Sequence, residues 1–195
     1  MKKIQSSDIK PVGINLSVEI KITEKEINGV KTGKKLASKD QTEQYMSKVL
    51  AMGKGVKDKN QCPELEVGDY IIFDQFAGAV ANTEDCYTKV IDGYNVIAIS
   101  KEEDMNKDTI KPANDRILVE ILDENFSANG VEYEASIDPR DKVTQKGLVL
   151  KCGINAEDVT EGEIVFFEPF AGNLIINETE LKLKTLNYRD ILYKI

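Results

Sequence analysis

Apolar and polar residues alternate most clearly over residues 14–20, where Ile14, Leu16, Val18 and Ile20 are separated by Asn15, Ser17 and Glu19. A period of two lines one face of a strand, and Pro11 just ahead suits the first residue of an edge strand, where the missing N–H costs no ladder bond. Residues 49–52, 70–73, 86–91 and 95–99 read as further short strands, punctuated by Gly53, Val67-Gly68-Asp69, Phe76-Ala77-Gly78 and Asp92-Gly93. Residues 21–47 differ: they are rich in Lys and Glu and carry Asn28-Gly29, Gly33-Lys34-Lys35 and Ser38-Lys39-Asp40. This predicts a long polar loop, with a helical turn at 41–48 and a type I′ hairpin closed by Asn28-Gly29 between Ile27 and Val30. Short strands joined by glycine turns, with no helical periodicity, predict an all-β fold of the small barrel or sandwich kind.

The pattern is written twice. Ile9-Lys10-Pro11, Val18-Glu19-Ile20 and Asn28-Gly29-Val30 recur 101 residues later as Ile110-Lys111-Pro112, Val119-Glu120-Ile121 and Asn129-Gly130-Val131. Nine of the 24 positions aligned from Ile9 and from Ile110 are identical, which places the duplication beyond coincidence. Residues 148–150 with Gly153 mirror 49–53, and Phe170-Ala171-Gly172 follows Phe76-Ala77-Gly78 at an offset of 94. Residues 188–193 align with 94–99 at that same offset, so the excursion 54–66 is the one that shortened in the second half. The expected organisation is a first unit at 1–100, a polar linker at 101–109 and a second unit at 110–195. Phe76 and Phe170 are expected in the core, with a contact between subunits as the alternative.

Composition removes most chemistry. The chain has no His, which excludes Ser-His-Asp and Cys-His nucleophile sites and the HExxH zinc motif. Cys62, Cys86 and Cys152 form no CxxC pair and are odd in number, which points to a reducing compartment, inert thiols and a cytoplasmic location. Gly53-Lys54-Gly55 is too short to cradle a phosphate, and no cofactor is expected. A net charge of −8 argues against nucleic acid as partner. The acidity is uneven: 15 Lys stand against 16 acidic residues in 1–103, and 11 basic against 18 acidic in 104–195. No apolar run is long enough to span a membrane as a helix, and the first five residues lack the apolar core of a secretory signal.

The order of these features resembles the GroES-type co-chaperonins, the chaperonin-10 family. Asp115-Arg116-Ile117-Leu118-Val119 after Ile110-Lys111-Pro112 is similar to the family's opening strand. Ser127-Ala128-Asn129-Gly130-Val131 falls where the family has its mobile loop, and Gly147-Leu148-Val149-Leu150 with Gly153 where it has a Gly-led strand. In the first half, Val67-Gly68-Asp69 with residues 70–73 fits the family's Val-Gly-Asp strand. The resemblance implies two tandem GroES-like small β-barrels with long polar loops, and no enzymatic activity. It further implies a homo-oligomeric ring that caps an ATP-dependent chaperonin and assists protein folding. The chaperonin-binding loop residues are then Asn28, Gly29, Val30, Lys31 and Thr32, and Asn129, Gly130, Val131, Glu132 and Tyr133. Where the family inserts an apolar tripeptide, this chain has Val30-Lys31-Thr32 and Val131-Glu132-Tyr133, whose central charges must stay in water or find a partner. The alternative is a structural or assembly component, for example of a virus particle, that reuses the fold without binding a chaperonin.

Overall fold

The alternating stretch becomes a central strand in each half of the chain. A computed structural model describes residues 4–20, 22–27, 30–36, 44–58, 62–74, 76–122, 127–128, 131–132, 144–177 and 182–195. The first half carries β1 (Asn15–Ile20), β2 (Ile22–Ile27), β3 (Val30–Leu36), β4 (Gln44–Met52), β5 (Tyr70–Asp74), β6 (Ala79–Asn82), β7 (Tyr87–Asp92), β8 (Val96–Ser100) and β9 (Lys111–Pro112). The second carries β10 (Arg116–Ile121), β11 (Ser127–Ala128), β12 (Val131–Glu132), β13 (Gln145–Cys152), β14 (Ile164–Phe167), β15 (Asn173–Asn177), β16 (Lys182–Asn187) and β17 (Ile191–Lys194). With only 3₁₀ turns besides, and no α-helix among the described residues, the fold is all-β.

Hydrogen bonding orders the sheets as β6-β7-β1-β4-β5-β8-β9 and β15-β16-β10-β13-β14-β17, with β2-β3 and β11-β12 as separate two-stranded pieces. The two large sheets share one topology. Their bulges coincide as well: β1 shifts register against β4 after Ser17, and β10 shifts against β13 after Leu118. The all-β class is as expected; the hydrogen bonding of each sheet is not closed, and its inner face is filled by side chains. In the first unit that filling is Leu16, Val18, Ile20, Val49, Ile71, Phe73, Ile91, Val96 and Ile99, with Val56, Cys62 and Leu65 brought over it by the excursion. The second unit uses Ile117, Val119, Val149, Val165, Phe167 and Leu186, and its shorter excursion supplies only Val159 and Ala156. The missing residues therefore come out of a core lid and not out of a strand.

Several boundaries differ from the sequence reading, each because backbone pairing outweighs local composition. β4 begins at Gln44, since Gln44–Lys48 pairs residue by residue with β5, so no helical turn forms over 44–48. Much of the expected polar loop is the β2–β3 hairpin. β1 starts only at Asn15, and Ile9-Lys10-Pro11 lies outside any strand. The compact units divide between Asn114 and Asp115, so 101–109 lies inside the first unit. There the Asn106 side chain accepts from the Asp108 and Thr109 N–H groups at 2.9 and 3.2 Å, Met105 is buried, and β9 joins β8 with Ala98 opposite Pro112. The last strands also align differently: Asp92 and Asn187 cap the 3₁₀ turns before β8 and β17, an offset of 95, so Val96 corresponds to Ile191. The extra residue is absorbed in β15, where the pairing jumps from Leu174 to Ile176.

Two local constraints carry measurable consequences. Gly78 and Gly172 have φ of +72° and +68°, and a Cβ there would collide with the carbonyl oxygens of Val90 and Thr185. Gly172→Ala is expected to destabilise the second unit by about 2–4 kcal/mol, read from the midpoint of urea unfolding. Burial pushes the Cys62 thiol up to about 12 from its ordinary 9.0, against a smaller downward pull from its Asn114 hydrogen bond. A thiol held neutral in the folded state contributes stability in full below pH 9.0 and loses it as pH rises toward 12. Folded protein at pH 8 is therefore expected to leave Cys62 unmodified by iodoacetamide, with alkylation appearing only when urea opens the fold; mass mapping of the peptides checks this.

Candidate functional site

Both hairpins leave their sheet at one place. The last rungs of β1 with β4 are Ile20 opposite Ser47, and of β10 with β13 Ile121 opposite Gly147, with Leu122 N–H donating to Lys146 O at 3.0 Å. The chain between these rungs is an insertion between two strands that already pair. In it, Ile27 pairs with Val30 and Ala128 with Val131. Two residues separate the strands each time, Asn28-Gly29 and Asn129-Gly130, the sequence preferred in type I′ turns. Asn28, Gly29, Asn129, Gly130 and Tyr133 lie outside the described residues, whereas Val30, Lys31 and Thr32 belong to β3 and Val131 and Glu132 to β12. The register sets Glu26 opposite Lys31 and Glu24 opposite Lys34, while Glu132 stands opposite Ser127. The two charged centres of the candidate tripeptides thus sit in different cross-strand settings.

A second repeated feature escaped the sequence reading. Phe76 is 74% and Phe170 97% exposed, so neither packs in the core. The cause is the turn: Ala77 and Ala171 N–H groups close back on Asp74 O and Glu168 O at 2.9 Å, and the left-handed glycine that follows each alanine lies against β7 or β16. A turn that tight leaves no inward path for the ring. Beneath it, Lys89 and Lys184 occupy equivalent places in β7 and β16, opposite Val18 and Val119, and both are buried. Their ammonium groups lie 5.8 and 5.4 Å from the ring centres of Phe73 and Phe167. Lys184 also donates to Pro169 O at 2.6 Å and to Gln145 Oε1 at 3.3 Å, which fixes the turn bearing Phe170. Burial holds both lysines below the ordinary range, opposed at Lys89 by the Asp74 carboxylate. The signal was in the sequence, a Lys at matching sites, but the offset of 95 hides it from an alignment held at 94.

Strand order, paired bulges and two hairpins at one sheet end give the frame for comparison. Residues 8–100 match the family model of the chaperonin 10 Kd subunit, Cpn10. This supports the co-chaperonin family, with the general role of a chaperonin cofactor, and members of that family are not enzymes. The Cpn10 match ends with β8, and no curated protein matches the chain. Among the described residues no helix is long and apolar enough to cross a membrane, and no three His, Cys, Asp or Glu side chains gather as a metal site.

Lys184→Ala removes a hydrogen bond to Pro169 O and a cation over Phe167, and is expected to cost about 1–3 kcal/mol in urea unfolding. Lys184→Met, which keeps the stem packing, is expected to recover part of that loss.

Proposed function

We propose that the chain is a double-unit co-chaperonin: two GroES-like units in tandem, assembled as a ring that lids a chaperonin and assists protein folding in the cytoplasm. The observation that carries this reading is the Cpn10 match over residues 8–100, joined to a second unit of the same strand order with its hairpin in the same register. In this reading Val30 and Val131 are the apolar contacts, flanked by Asn28, Gly29, Lys31 and Thr32 and by Asn129, Gly130, Glu132 and Tyr133. Burying one large aliphatic side chain contributes about 1.5–3 kcal/mol, too little for capture by one loop. Repetition around a ring multiplies such weak contacts by raising the effective concentration of the remaining loops.

A structural or assembly role without chaperonin is supported by a different observation. The β2–β3 hairpin has strands of six and seven residues with opposite charges in register, which suits an arm already formed before any partner arrives.

The lid reading predicts that the protein is retained by an ATP-loaded chaperonin, and that Val30→Asp combined with Val131→Asp weakens retention at least tenfold. A pull-down at fixed salt measures both. Retention by wild type that the double variant leaves unchanged removes these loops from the role. Recovery of the chain as a stoichiometric part of a purified particle, with no chaperonin retained, selects the assembly role instead.

A further inference from the structure

The two insertions that carry the candidate tripeptides have opposite charge. Residues 21–36 hold five Lys and two Glu, a net charge of +3. Residues 122–137, which align with them at the offset of 101, hold one Asp and three Glu with no Lys or Arg, a net charge of −4. In the sheets, by contrast, charge is kept at Glu19 and Glu120 and at Lys89 and Lys184, which occupy equivalent rungs.

The register sharpens this difference at the tips. In the first hairpin Lys31 stands opposite Glu26 and Lys34 opposite Glu24, so each of these cations has a carboxylate at its cross-strand position. Opposite charges placed directly across an antiparallel ladder attract. In the second, Val131 stands opposite Ala128 and Glu132 opposite Ser127, so the acid has no counter-charge at the position across from it. The tip residues differ in apolar size as well: two residues beyond Val30 comes Thr32, and two beyond Val131 comes Tyr133.

We propose that the second insertion is the one that docks, on a partner surface that sets basic side chains beside an apolar slot, with Glu132 as the residue that reads the basic charge; the first insertion is repelled by that same surface. A partner ring built from one kind of subunit repeats one docking surface at every position. Insertions of +3 and −4 cannot both complement it, because like charges brought together oppose association where opposite charges favour it. Apolar area and tip charge decide which of the two fits. Docked in extended form, residues two apart share a face, so Val131 and Tyr133 enter the slot together and Glu132 meets the basic rim. The aromatic ring of Tyr133 offers far more area to bury than the methyl group of Thr32. Lys31 has Glu26 across its ladder, whereas Glu132 keeps its charge for the partner. The inference rests on the lid reading and deepens it: of the two contacts at Val30 and Val131, the second carries the greater share, and the chemistry of the partner surface is named.

Retention of the full chain on an ATP-loaded chaperonin, compared at low and high salt, tests this. At low salt Glu132→Lys is expected to weaken retention about tenfold or more, and Glu132→Gln by less. The gap to wild type is expected to close at high salt, where the charges are screened. Lys25→Glu with Lys35→Glu turns the first insertion from +3 to −1 and is expected to strengthen retention about twofold or more. Damage to the fold neither strengthens binding nor disappears on adding salt, so structural loss reproduces neither result. A Glu132→Lys chain retained like wild type overturns the inference and leaves the lid reading in place, as does a first-insertion variant that fails to strengthen retention. A wild-type chain that the chaperonin does not retain at either salt overturns the lid reading, and this inference with it.

Discussion

A β-sheet leaves a row of backbone N–H and C=O groups at each edge, and this chain is arranged around what happens to those rows. In the interior they are consumed: β1 has β7 on one side and β4 on the other, and β10 has β16 and β13. At the β8 edge the next segment of chain turns back as β9. At the β17 edge no strand of the second unit does so among the described residues. An edge sealed in one unit and open in the other is the main asymmetry between the two sheets.

The same pairing constraint places the two hairpins. Because β1 and β4 are neighbours in the sheet, the β2–β3 hairpin is inserted between two strands that already pair, and β11–β12 falls between β10 and β13 in the same way. The two insertions need not resemble each other in charge. In the first, Glu24 and Glu26 stand opposite Lys34 and Lys31, whereas in the second Glu132 stands opposite Ser127. Recognition chemistry is thus free to diverge on a scaffold whose own residues are held in place by the core.

Under the sheets, the buried lysines show how a charge is tolerated where an apolar residue would be expected. Lys184 keeps its ammonium over Phe167 and on Pro169 O, so the group leaves water but not its hydrogen bonds. The carbonyl it holds belongs to the turn that expels Phe170, and the glycine after that turn cannot carry a side chain. In the second unit a buried cation and a left-handed glycine together hold the turn that carries an exposed aromatic ring.

The all-β class and the likeness of the first unit to the chaperonin-10 family were readable from residue order, because strand alternation and turn residues are local properties. Local properties misplaced the strand at Gln44, the core position of Phe76 and Phe170, and the linker at 101–109, because in each case a partner distant in sequence decided the outcome. β5 pulled Gln44 into a strand, the turns against β7 and β16 left both rings exposed, and β8 took Lys111-Pro112 as its neighbour. Ile9-Lys10-Pro11 and Ile110-Lys111-Pro112 are the same words in the sequence. Only the tertiary structure distinguishes them: Lys111-Pro112 pairs along β8, whereas Ile9-Lys10-Pro11 lies in no strand among the described residues.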